Sequence, residues 1–143
     1  MRYLLVLATI TLLSGCVSTP EAVIFDNNRA YEKPREEVWQ NLLSFFESSS
    51  IPVKTKDQEN GILVAVRPLK RASIYVECGV SDISSVRNGI LTVKVSLQSM
   101  GNAKTRATVI VTFSAFRQIV GVTQNRIECF SNGTLEEEIF KNL

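Results

Sequence analysis

Histidine is missing from this chain of 143 residues. Triads with a histidine base, histidine-bound zinc or haem, and imidazole acid–base chemistry are therefore excluded. Chemistry would have to come from carboxylates, lysine, tyrosine, serine or the 3 cysteines. Asp57 and Glu59 are as close in sequence as a hydrolytic carboxylate pair would be. They fall between two alternating apolar runs, however, where solvated turn acids are expected. Glu136, Glu137 and Glu138 are rich in metal-binding oxygen. Three successive residues on a helix do not converge on one point, and dipole stabilisation at a helix start explains them better. Gly-x-Ser-x-Gly, Ser-x-x-Lys, glycine-rich phosphate loops and Cys-x-x-Cys do not occur. The expectation is a protein that is not an enzyme and carries neither cofactor nor metal.

Composition bounds the rest. Hydrophobic residues make up 45% of the chain, enough to bury a core, and the length suits one domain. No run of about 20 apolar residues is present to span a bilayer as a helix. With 16 basic and 14 acidic residues the formal charge is +2, so nucleic acid is not an expected partner.

The first residues are the most informative. Met1-Arg2-Tyr3 is a short cationic start, and Leu4 to Leu13 is apolar apart from Thr9 and Thr11. Leu13-Ser14-Gly15-Cys16 follows. This is the layout of a secretory signal, and it is too short for a membrane span. The tetrapeptide resembles the lipobox of bacterial lipoproteins. That resemblance implies that the signal, residues 1–15, is cut before Cys16, and that Cys16 is acylated and begins the mature chain. Two or three acyl chains anchor stably where one binds only marginally. The competing reading is a buried N-terminal strand ending in an ordinary cysteine. By the sorting rule of such lipoproteins, Val17 in place of an aspartate implies the outer membrane, with the domain facing the periplasm. Residues 16–22 would be a lipidated tether, and residues 23–143 a single periplasmic domain.

If Cys16 carries lipid, Cys78 and Cys129 remain in an oxidising compartment. A disulfide between them is expected, through neighbouring strands or across the core; the alternative is two buried thiols.

The elements that position these residues follow from patterning. Ala22 to Tyr31 holds a first strand. Pro34 suits the first position of a helix, with Glu36 and Glu37 at its positive end. Val38, Trp39, Leu42, Leu43, Phe45 and Phe46 give that helix one wide apolar face, and Ser48-Ser49-Ser50 ends it. A hairpin follows: strand 51–56, turn 57–61, strand 62–67, with Pro68 as its stop. Alternation predicts strands over 73–80, 90–99, 105–116 and 123–130, with residues 81–89 a polar connection. Thr134-Leu135-Glu136-Glu137 reads as a capping box opening a C-terminal helix with Leu135, Ile139 and Leu143 on one face. Asn132-Gly133-Thr134 matches a glycosylation sequon but is better read as part of that cap. The fold class is α+β: a curved antiparallel sheet packed by one long helix and a short C-terminal helix.

Pro34-x-x-x-Val38-Trp39-x-x-Leu42, then Ile51-x-Val53, then Asp57-x-x-x-Gly61-Ile62 form a cadence from Tyr31 to Val66. It resembles the helix-grip domains of BamC-type lipoproteins, accessory components of the machinery that assembles β-barrels in the outer membrane. The resemblance implies a helix laid across an antiparallel sheet. This chain departs from that family in having one domain and a cysteine pair.

Several residues carry two readings. Trp39 is either a core anchor or a partner-facing hot spot. Arg67, Lys70 and Arg71, with Arg87, are either a solvated loop or a patch for anionic head groups. Phe116, Ile119 and Val120 around Arg117 are either a buried strand end or an exposed partner surface. The functional expectation is a lipid-anchored, non-catalytic binding or accessory component of envelope protein assembly or secretion, with an envelope protein as partner. The alternative is a carrier or sensor that holds a small apolar ligand between helix and sheet. That would require a cavity lined by residues such as Phe45, Val93 and Val111.

Overall fold

The computed structural model describes residues 25–71, 75–78, 86–101, 103–117 and 125–143. Its long helix, α1 (Arg35–Ser49), is N-capped by Pro34 in extended conformation, one residue outside the expected first helical position. The proline still suits the place: it has no N–H to leave unpaired, and its carbonyl accepts from the Val38 N–H at 3.2 Å. Val38, Trp39, Leu42, Phe45 and Phe46 are buried along one stripe, and Leu43 packs at its margin. Trp39, at 2% exposure, is a core anchor. Ser50 ends the helix in the left-handed region.

Strands β2 (Val53–Asp57) and β3 (Ile62–Arg71) form the expected hairpin. Its turn is set by Asp57, whose carboxylate accepts from the Asn60 backbone at 3.0 Å and from the Asn60 amide at 2.8 Å. Gly61 then adopts φ +68°, and a Cβ there would collide with the Leu97 carbonyl of the next strand over. Pro68 does not stop β3, which runs on to Arg71 and pairs with β5 (Val86–Ser99). The Val66 N–H donates to Pro52 on the β2 side. Pro68, two residues on, faces that same side beyond the end of β2, where no ladder bond is lost.

β5 and β6 (Thr105–Arg117) form the spine of the sheet. Leu91, Val93, Val95 and Leu97 alternate inward on β5, and Ala107, Val109, Val111 and Phe113 on β6. β5 begins earlier than alternation suggested, because a register shift between Arg87 and Ile90 lets it continue through Asn88-Gly89. Gly89 lies directly over the Phe113 ring, leaving no room for a Cβ.

β7 (Asn125–Ser131) pairs with the C-terminal half of β6, and β1 (Asn28–Tyr31) with its N-terminal half. β4 (Val76–Glu77) lies beyond β7. The described sheet is thus seven-stranded and antiparallel, in the order β2-β3-β5-β6-β7-β4, with β1 beside β7 along β6. The expected strands starting at 22, 73 and 123 are shorter where described, and their outer residues at 22–24, 73–74, 79–80 and 123–124 lie outside the described residues.

Helix α2 (Thr134–Asn142) buries Leu135, Ile139 and Phe140, with Leu143 after it. It packs on β6 and α1. Lys33 and Asn41 both donate to the Leu143 carbonyl, at 3.0 and 2.8 Å. The capping box does not form. Gly133 is the N-cap, and Asn132 Oδ1 accepts from the Thr134 N–H at 3.1 Å. Glu137 instead binds Arg29 at 2.8 Å, because β1 brings that guanidinium alongside the helix. No helix among the described residues is long and apolar enough to cross a membrane.

Candidate binding site

Cys16, the expected lipidation site, lies outside the described residues, as do Ile119 and Val120. Arg117 ends β6, its backbone paired with Val86 and Asn125, and neighbouring Phe116 is 44% exposed. Cys78 and Cys129 are joined, with S–S 2.00 Å and Cα atoms 4.2 Å apart. Of the two routes open from sequence, the neighbouring-strand route holds: Glu77 pairs with Phe130, so the next position places Cys78 against Cys129. The bond fixes the two-residue β4 to the sheet.

The acidic residues separate by role. Asp57 and Glu59 sit in the exposed β2–β3 turn, and hydrogen bonds from Asn60 hold the Asp57 carboxyl below its usual value. Glu136, Glu137 and Glu138 diverge. Glu136 is 1% exposed and accepts from the Ser131 hydroxyl at 2.7 Å. Burial pushes its carboxyl above the usual range, against the hydrogen bond from Ser131. Glu137 joins a cluster in which Arg29 stacks on Phe140 at 4.7 Å and the Tyr31 hydroxyl donates to the Phe140 carbonyl at 2.8 Å. Burial pushes the Tyr31 phenol up to about 12. Alternation alone gave no sign of this cluster, whose members are more than 100 positions apart.

Glu138 turns to a pocket of about 280 Å³ between the end of α1, β3, β5 and α2. Phe45, Ile51, Leu69, Leu91 and Leu135 form its apolar wall, and Ser49, Arg67, Tyr75 and Glu138 its polar part. Tyr75 and Glu138 share a hydrogen bond; burial first, then that carboxylate, pushes the Tyr75 phenol up, while Arg67 pulls it down. Among the described residues the Arg67 side chain makes no hydrogen bond or ion pair, though its charge acts on Tyr75. Of the cavity residues expected from sequence, Phe45 lines this pocket, whereas Val93 and Val111 do not. Both are packed in the core, at 0% and 5% exposure.

A second, open groove of about 360 Å³ runs beside β2, between Phe46, Glu47, Ile51, Val53 and Lys56. Of the basic cluster, Arg67 and Lys70 are exposed on β3, and Arg71 pairs through its backbone with Arg87. The chain matches no known family model and no curated protein.

Proposed function

We propose that this chain is a lipid-anchored lipoprotein of the outer membrane, facing the periplasm, and that it acts as a non-catalytic binding or accessory component of envelope protein assembly or secretion. The observation that carries the reading is the outer edge of β2, which has no strand partner among the described residues and has an open groove beside it. An extended segment of a partner could add there as a further strand, its backbone giving affinity and the groove reading its side chains. Lys54 and Lys56 are exposed on that strand. Such lysines discourage pairing between copies and favour an acidic partner strand. The disulfide suits export, since such bonds persist in oxidising compartments.

The helix-grip likeness belongs to the same proposal. β3 and β4 are separated by three strands in the sheet order, about 19 Å if the sheet were flat. One pocket nevertheless takes its wall from Leu69 of β3 and from Tyr75, which precedes β4. This supports a sheet curved around α1, as in BamC-type domains.

Purification of the intact protein from detergent-solubilised outer membranes tests the role. Barrel-assembly components should co-purify, and Lys54→Glu with Lys56→Glu should release them. Recovery of none would sink the assembly reading. The pocket favours a second reading, that of a carrier or sensor for a small apolar ligand held between helix and sheet.

A further inference from the structure

The pocket under α1 has two unlike ends. Its apolar wall is formed by Phe45, Ile51, Leu91 and Leu135, each less than 8% exposed, with Leu69 beside them. Its rim carries an exposed guanidinium, Arg67, whose five N–H donors have no partner among the described residues. A purely apolar ligand would use the wall and leave that guanidinium idle. The acid in the lining, Glu138, is engaged by the Tyr75 hydroxyl. Arg67 is therefore the group open to an acceptor on a ligand.

We propose that this pocket binds a single-chain amphiphile with an anionic head, the chain lying against Phe45, Ile51 and Leu91 and the carboxylate or phosphate accepting from Arg67. The proposal rests on the carrier reading above and narrows it to a ligand class. Size sets the chain: about 280 Å³ is room for roughly nine water-sized groups at ~30 Å³ each, one medium-length chain and not two. A planar guanidinium suits either head, because both present paired oxygens to its fork. A free fatty acid and a single-chain phospholipid fragment are thus the two sources of the same chemistry.

Calorimetric titration of the intact chain with hexanoate, octanoate, decanoate, decyl phosphate and decanol tests it. Decanoate or decyl phosphate should bind one to one, and the better of the two names the source. Affinity should rise about fourfold per methylene until the pocket is full. Decanol should bind at least tenfold more weakly than the better anion. Arg67 is exposed, so Arg67→Gln should fold normally; it should cost the anion tenfold or more and leave decanol unchanged. Leu69→Trp, which fills the pocket from β3, should abolish binding of all five. Decanol binding as tightly as decanoate, with Arg67→Gln without effect, would overturn the anionic-head proposal and leave the carrier reading standing. Binding by none of the five would overturn both.

Discussion

Glu136 is the residue with the most to lose from ionising. Ser131 satisfies one carboxyl oxygen, and the other, Oε1, makes no hydrogen bond. Burial favours the neutral acid, so the folded chain holds this proton to a higher pH than the unfolded chain does. Between the ordinary value of 4.5 and the raised one, the folded state binds more protons, and stability falls as pH rises through that window. Glu136→Gln keeps an acceptor for Ser131 without the charge. It should raise stability at pH 7 by about 1 kcal/mol and remove that part of the decline, as read by urea unfolding at several pH values. Glu137 works in the opposite sense. The hydrogen bond from Arg29 lowers its pKa, so its contribution is present above the ordinary value and is lost as pH falls.

Among the elements, β5 is where a single side chain is most tightly excluded. Gly89 lets the strand pass over the Phe113 ring, which is 1% exposed and has nowhere to move. Gly89→Ala should destabilise by about 1–3 kcal/mol through overpacking, visible as a lower urea midpoint with an unchanged slope. β4 depends on a different device. Two residues of ladder hold it weakly, and the Cys78–Cys129 bond closes a separation of 51 positions around it. Reduction should cost on the order of 4 kcal/mol in the chain-entropy account. Unfolding with and without reductant measures this, and mass analysis of the unreduced protein should find no free thiol at either position.

At the scale of the whole molecule, the sheet has two unlike faces. One is covered by α1 and α2, while the other exposes Ile90, Ile110, Phe116 and Phe130 at 44–49%. A single anchored copy at a membrane surface is the arrangement proposed for it. Cys16→Ser should therefore leave an unprocessed precursor that fails to gain lipid, read by mass and by labelling with a fatty acid. Normal processing and membrane retention of that variant would refute the anchor.

Much of the framework was legible because it rests on local periods. Alternation at Leu91 to Leu97 and at Ala107 to Phe113, and the apolar stripe from Val38 to Phe46, state which face is buried wherever the partner happens to be. The α+β class followed from the same kind of reading, and so did the turn at Asp57 to Gly61, whereas the cysteine pair was expected from the count left once Cys16 is assigned to lipid. What sequence misjudged was decided by distant neighbours. Pro68 stays in a strand because β2 ends before it, and Gly89 continues one because Phe113 lies beneath. Glu137 binds Arg29 of β1 rather than its own helix start, and Arg67 comes to a pocket mouth with Tyr75 and Glu138. Periodicity records the solvent on either side of an element. Which charges meet across more than 100 positions, and where a cavity is left between helix and sheet, is set only when the elements pack.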